Sequence, residues 1–301
     1  MAIDLPELGA LRLGSGELPV LGTSKTRTIA VTDLIPGFAG DIITLLAGDR
    51  YREVATAYLK ALDGPGQLLE GVPAPPYRHP RKIWGIGLNY QDHADDLAAP
   101  TPDEPASFIK ADHTIIGYGD SIILPWQSHK VTAEAELGIV MGEYCRNVSE
   151  AAALDYVFGV CPILDQTAED ILRRNPRFLT RSKNFPTFFS FGPTVIPMAT
   201  VLTKYKSLAD LEVSTVLNGE RVRTNRVGNM IFSVAALISF HSQVMPLFPG
   251  DIISTGTPGA VPIQDGDLVE CHLGDLSILR NPVSRDAPTQ RGEIDTEVHI
   301  A

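Results

Sequence analysis

Two acidic residues spaced by two, Glu134 and Glu136, sit in the run Lys130-Val-Thr-Ala-Glu-Ala-Glu-Leu-Gly-Ile-Val-Met141. Val131, Ala133, Ala135, Leu137, Ile139 and Met141 alternate through it with period two, the pattern of a half-buried strand. Residues i and i+2 of a strand point to one side, so both carboxylates leave the same face. Two like charges held together in an apolar strand repel each other and are costly to desolvate, so a compensating cation is expected. A hard divalent ion such as Mg2+, which takes oxygen ligands, suits them. An isolated Glu-x-Glu is more often a solvated strand face. The following run, Val157-Phe-Gly-Val-Cys-Pro-Ile-Leu-Asp165, tips the balance. It is almost wholly apolar, reads as a buried strand, and ends in an acid that becomes a third candidate ligand. The commoner role of such an Asp is a turn former or an N-cap for the 167–172 stretch.

Three other segments carry chemistry. In Tyr90-Gln-Asp-His-Ala-Asp-Asp-Leu97, a short helix would set His93 and Asp96 at i, i+3 on one face, where they can form a hydrogen-bonded dyad. A carboxylate beside an imidazole raises its basicity and fixes its tautomer, as a general base requires. Lys183 precedes the aromatic run Phe185-Pro-Thr-Phe-Phe189 and could orient a substrate oxyanion, although most such lysines snorkel to the surface. Ser254-Thr-Gly-Thr-Pro-Gly259 could offer N–H groups and hydroxyls to an oxyanion, or be no more than a turn. Gly85-Ile-Gly-Leu-Asn-Tyr90 lacks the third glycine of a dinucleotide fingerprint and leads into an acidic segment, which excludes that reading.

The elements that must position these groups are mostly strands: 82–88, 121–124, 133–141, 157–164, 211–217, 251–254 and 268–273. Helices are expected at 149–156 and 230–244. Earlier, 28–34 reads as a strand and 49–62 as a helix that Asp63-Gly-Pro-Gly66 stops. The proline-rich connector Val72-Pro-Ala-Pro-Pro-Tyr-Arg-His-Pro80 separates a small N-terminal unit, residues 1–78, from a catalytic domain over 79–301. Strands and helices do not alternate regularly, so the fold class is α+β, mainly β, and not doubly wound.

A length of 301 residues with 44% hydrophobic and 20% charged residues describes an ordinary globular chain. A net charge of -11 and a pI near 5.1 argue against nucleic-acid or anionic-membrane partners. Cys145, Cys161 and Cys271 are widely spaced and read as small core residues in a reducing compartment. No secretory pattern precedes residue 16 and no apolar run approaches a membrane span, so a soluble cytoplasmic protein is expected.

Taken in order, Gly87-Leu-Asn-Tyr-Gln-Asp-His93, Phe108-Ile-Lys110, Glu134-Ala-Glu-Leu137, Asp165-Gln-Thr-Ala-Glu-Asp170, Lys183-Asn-Phe185, Phe191-Gly-Pro193, Leu217-Asn-Gly-Glu220 and the 249–258 run resemble the fumarylacetoacetate hydrolase family over about residues 82–283. The resemblance implies a mixed β-sandwich roll, a homodimer, and Mg2+ or Mn2+ held by Glu134, Glu136 and Asp165. It maps the family's base onto His93 with Asp96 as acidic partner, and its substrate-orienting lysine onto Lys183. Substrate contacts are implied at Tyr90, Lys110, Gln166, Gly256 and Thr257. The chain departs from the family pattern in four places. Asp96 stands where Glu is usual, and Glu169 where the family has arginine. Arg223 and Val227 replace a common Gln and Thr, and the loop after Pro258 is short.

The expected activity is divalent-metal-dependent hydrolysis of a C–C bond in a β-diketone-type oxo acid, an acylpyruvate or fumaryl-oxo acid, through a metal-stabilised enolate. The same chemistry without water attack would make the chain a 2-oxo acid decarboxylase, hydratase or isomerase. A non-catalytic metal-binding scaffold is the third expectation, motivated by Glu169 and Arg223.

Overall fold

The computed structural model describes residues 5–286, apart from 15, 24–25, 63–68, 70 and 97–99. The chain begins with a meander of β1 (Glu7–Leu13), β2 (Gly16–Thr23) and β3 (Thr26–Ala30), followed by α1 (Val31–Leu34), α2 (Ile43–Leu46) and α3 (Arg50–Leu62). Tyr51, Val54, Ala55 and Tyr58 recur at helical spacing in α3 and bury one face of it in a core with Leu8 and Leu21. The 28–34 stretch, expected as one strand, divides between β3 and α1. Thr32-Asp33 breaks the apolar alternation, and the Ile35 N–H closes a helical turn on the Val31 carbonyl at 2.8 Å. The expected helix stop at 63–66 lies outside the described residues.

Next come β4 (Val72–Ala74), β5 (Ile83–Gly87), α4 (Gln91–Asp96), β6 (Ala106–Lys110), β7 (Ile115–Ile116), β8 (Ile122–Leu124), β9 (Val131–Met141), α5 (Glu150–Ala153) and β10 (Val157–Ala168). Then follow α6 (Glu169–Arg174), α7 (Leu179–Lys183), β11 (Phe189–Phe191), β12 (Thr194–Pro197), α8 (Met198–Lys204), β13 (Glu212–Leu217) and β14 (Glu220–Arg226). The last elements are α9 (Val234–Val244), β15 (Ile252–Ser254), β16 (Val261–Ile263), β17 (Leu268–Leu273) and β18 (Ser277–Arg285).

The strands form two mixed sheets. One runs β3-β2-β1-β12-β10-β9-β15-β5-β6, with β4, β7, β11 and β16 attached to its members; the other runs β14-β13-β17-β18-β8. This is an α+β fold dominated by strands. The odd-numbered face of β9 (Val131, Ala133, Ala135, Leu137, Ile139) shares a core with Val213, Val269, Cys271 and Leu279 of the second sheet. The even-numbered face, which carries both glutamates, points away from that sheet. At its far end Val140 joins Cys161, Ile163 and Ile252 in the core that also holds Leu8 and Leu21. Because β1 pairs with β12, the N-terminal meander belongs to the same sheet as β9 and β10. Among the described residues, no helix is long and apolar enough to cross a membrane.

Candidate metal and active site

All eleven residues of β9 are buried, so the expected half-buried strand is covered on both faces. Glu134 is 7% exposed, Glu136 1% and Asp165 0%, which removes the solvated-face reading of the pair. Asp165 does not end its strand. β10 continues to Ala168, and antiparallel register sets Asp165 directly opposite Glu134 and Ile163 opposite Glu136. Gln166 and Thr167 look polar enough for a loop, but both are buried within the ladder. One carboxylate oxygen from each of Glu134, Glu136 and Asp165 lies within 4.8 Å of the others.

Neighbouring side chains orient these acids. Thr167 donates to Glu134 Oε1 at 2.8 Å, while the Ser254 hydroxyl and the Gly256 N–H donate to Glu136 Oε2 at 2.5 and 2.9 Å. The other oxygen of Glu136 is buried without a hydrogen-bond partner. Lys183, from the end of α7, reaches Glu134 at 2.9 Å and Asp165 at 2.6 Å. Lys110, from the end of β6, reaches the other oxygen of Asp165 at 2.6 Å and the Lys183 carbonyl at 2.5 Å.

The electrostatics follow from burial opposed by neighbours. Desolvation pushes Glu136 up to about 8, and the charges of Asp165 and Glu134 add to it. Desolvation also drives Lys110 down to about 8 against the pull of Asp165. Burial opposes charge on Lys183, but Asp165, Glu134 and Glu136 together outweigh it and hold the ammonium protonated. A buried all-oxygen donor set, with one glutamate oxygen left unpartnered, fits a hard divalent cation. Glu134, Glu136 and Asp165 would hold it.

β5 ends at Gly87, and Leu88 turns the chain in a left-handed conformation, φ 56°, that a leucine adopts only at a cost. The Asn89 side chain then fixes the turn, donating to the Thr255 and Phe232 carbonyls at 2.8 and 3.1 Å. This launches α4 beside the carboxylates. Tyr90 is fully buried with its hydroxyl unpartnered, and burial, then the charge of Glu136, pushes its pKa up. His93 is 6% exposed and its Nδ1 has no partner. Desolvation lowers its pKa; Glu134 opposes that shift and Lys183 reinforces it, so the imidazole is neutral near pH 7.

Two expectations need correction. The His93–Asp96 hydrogen bond is not formed: Asp96 instead accepts from Arg223 Nη2 at 2.9 Å, and its side chain is 41% exposed. A carboxylate at the helix edge is held more cheaply by a solvated guanidinium than by a buried imidazole. Gln166, expected at the substrate, follows Asp165 on a regular strand and so falls on the opposite face, with Ala133 as its register partner. Both of its amide atoms are buried and unpartnered. Of the remaining expected substrate groups, the Gly256 N–H is committed to Glu136, Lys110 to Asp165, and the Thr257 hydroxyl bonds within its own turn to Gly259. Sequence reasoning missed Thr167 and Ser254 as supports of the carboxylates. Thr167 carried a usable signal, since it lies two residues beyond Asp165 and shares its face once the strand is extended.

Outside the carboxylates lies a pocket of about 260 Å3 lined by the neutral His93 and the charged Asp96, Lys130, Glu169, Arg173 and Arg223. Thr132, whose hydroxyl lies 3.5 Å from Glu134, lines it as well and links it to the acids. Glu169 binds Lys130 at 2.7 Å and Arg173 at 2.5 Å.

A buried carboxylate triad on a strand-dominated mixed sheet, with a neutral histidine beside it, is the framework of a metal-dependent enzyme. The chain matches the model of the Fumarylacetoacetate (FAA) hydrolase C-terminal family over residues 82–284 and belongs to that family. An uncharacterised protein of Archaeoglobus fulgidus is 42% identical over 67% of this chain and 78% of its own length. A fumarylacetoacetate hydrolase domain-containing protein 2 homolog of Dictyostelium discoideum is 38% identical over 68% and 72%. Among solved structures, the 5-carboxymethyl-2-hydroxymuconate delta-isomerase of Mycobacterium smegmatis aligns with a TM-score of 0.73 at 28% identity, covering 93% of this chain and 99% of that one. The 2-hydroxyhepta-2,4-diene-1,7-dioate isomerase of Mycobacterium marinum aligns at 0.72 and 29%, covering 94% and 99%.

Proposed function

We propose that this chain is a Mg2+- or Mn2+-dependent hydrolase that cleaves a C–C bond of a β-diketone-type oxo acid, an acylpyruvate or fumaryl-oxo acid. The observation that carries the reading is the convergence of Glu134, Glu136 and Asp165 within 4.8 Å beside a neutral, unpartnered His93. The divalent ion, when bound, supplies charge stabilisation for the two oxo oxygens of the substrate and for the anion that leaves when the bond breaks. The neutral His93 imidazole takes a proton from a water that attacks the distal carbonyl carbon. The bond to the pyruvate carbon then breaks, and that carbon is protonated, so one water is consumed for one carboxylic acid and one pyruvate. Asp96, three residues on in the same helix, favours the charged form of His93. Lys183 stays protonated beside the developing negative charge.

The test is pyruvate release from a panel of acylpyruvates, with and without chelator. Turnover is expected to vanish on chelation and return with Mg2+ or Mn2+. His93→Ala is expected to lower it by about 10^2- to 10^4-fold with the ion affinity unchanged. No turnover on any member of the panel would overturn the reading.

The absence of a His93–Asp96 hydrogen bond favours one alternative, an isomerase that only moves a proton along a dienoic oxo acid. The names of the two mycobacterial relatives point the same way. An isomerase would shift the substrate's absorbance with no pyruvate released.

A further inference from the structure

Arg223 and Asp96, 127 residues apart in the chain, are joined by a hydrogen-bonded ion pair. β14 lies at the edge of the second sheet and faces α4. Asn225 donates to Asp92 at 2.9 Å and Arg223 to Asp96 at 2.9 Å, so residues two apart on the strand hold residues four apart on the helix. To reach Asp96 the Arg223 side chain crosses the Ser254–Gly259 turn at Gly259. A Cβ on Gly259 would lie 2.7 Å from Arg223 Nε and 2.9 Å from its Cδ, so a side chain there would push the flexible arginine off this path.

The pocket beside His93 has three cationic residues, and they are not equivalent. Lys130 and Arg173 share one carboxylate, Glu169, whose side chain is 11% exposed. Arg223 is paired only with Asp96, a carboxylate 41% exposed, and only its Nη2 is engaged among the described residues. A solvated pair of this kind is weak and readily exchanged. The remaining edge of the guanidinium keeps the fork geometry that accepts a carboxylate through two parallel bonds.

We propose that Arg223 is a specificity-determining residue that binds a second carboxylate, at the end of the substrate remote from the oxo acid, so that the preferred substrates are oxo dicarboxylic acids. The inference rests on the oxo-acid reading above. The anionic tail takes the free edge of Arg223, whose side chain passes Gly259 to reach the pocket wall. Lys130 and Arg173 stay with Glu169.

The experiment compares succinylpyruvate with butanoylpyruvate, which carries the same acyl chain without the terminal carboxylate, on the Mn2+-loaded protein. Wild type is expected to favour succinylpyruvate by about 10- to 100-fold in kcat/KM, expressed mainly in KM. Arg223→Gln is expected to bring that ratio close to one, Arg223→Lys to restore part of it, and Gly259→Ala, which displaces Arg223 without removing it, to lower it. A wild-type ratio near one, or a ratio that Arg223→Gln leaves intact, overturns the proposal. An equal fall for both substrates means a structural role and also overturns it. The Kd values of the two compounds, measured by calorimetry in the presence of Mn2+, give the same ratio without turnover. A protein that binds succinylpyruvate selectively through Arg223 yet releases no pyruvate would therefore refute the hydrolase reading and leave this one standing.

Discussion

Asp165 and Lys183 form a 2.6 Å ion pair with both side chains almost completely buried, at 1% and 6% exposure. The lysine stands against two acids at once, since the same ammonium lies 2.9 Å from Glu134. Lys110 holds the other side of Asp165. Three buried carboxylates thus face two ammonium groups, and a raised Glu136 absorbs the imbalance as a proton.

Removing one partner of such a cluster leaves an uncompensated buried charge. Lys183→Ala is expected to cost about 3–5 kcal/mol of stability. Because a divalent cation can supply the missing charge, Mn2+ should raise the melting temperature of the variant more than that of wild type. Thermal melts with and without Mn2+ check this; an equal shift in both proteins would show that Lys183 and the ion do not act on the same carboxylates.

Glu136 sets the pH dependence. Its folded pKa, about 8, exceeds the ordinary glutamate value of 4.5 because desolvation and then Asp165 and Glu134 penalise its charge. Between those values the folded state holds a proton that the unfolded state lacks. Stability without added metal is therefore expected to fall as pH rises from 4.5 towards 8, by at most about 1.4 kcal/mol per pH unit. Ion binding must displace that proton, so affinity for Mg2+ should rise over the same window. Calorimetry at pH 7 in buffers of different ionisation enthalpy should detect proton release that shrinks by pH 9. Constant release across this range would contradict the assignment.

The centre of this site was legible because a strand's period of two is a strong signal: Glu-x-Glu with small apolar residues between them can only project both acids together. The end of β10 was not legible. Gln166 and Thr167 have loop-forming character locally, and only their pairing with Ala133 and Thr132 makes them strand. The Asp96–Arg223 contact spans 127 residues and leaves no local pattern, whereas the i, i+3 rule suggested a nearer partner for Asp96. Similarly, β1 and β2 are punctuated by glycines and Pro19, which conceal them until they pair with each other and with β12. Lys183 reads as a lysine that could orient an oxyanion, and Lys110 comes only through the family resemblance; nothing local shows that both are buried against Asp165.

Gly256 does two things that a side chain would disturb. Its φ is 97°, a region that favours glycine, and its N–H donates to Glu136 at 2.9 Å. A Cβ there would stand 2.8 Å from the Cβ of Asn89, the residue that anchors the start of α4. Gly256→Ala is expected to cost about 1–3 kcal/mol and to weaken Mn2+ binding by roughly tenfold, as lost orientation of a ligand does. Denaturant melts and metal titration separate the two effects. Unchanged metal affinity in a destabilised variant would show that the N–H does not orient Glu136.

Glu169 shows how the pocket holds an acid between two cations. It sits at the start of α6, where the helix dipole favours a negative group, and joins Lys130 to Arg173. Glu169→Arg would set three cations against one another and reverse the favourable dipole contact, at an expected cost of about 2–4 kcal/mol. It does not touch the carboxylate triad, so the Mn2+ Kd should stay within about threefold, a change typical of a distant charge screened by solvent. The pocket, however, becomes more positive. KM for an anionic-tailed oxo acid should fall relative to that for a neutral-tailed one, a redistribution that Glu169→Gln should reproduce in weaker form. If metal affinity moves more than the substrate ratio, Glu169 acts on the triad through Lys130 and Thr132, and the pocket charge is not what selects the substrate.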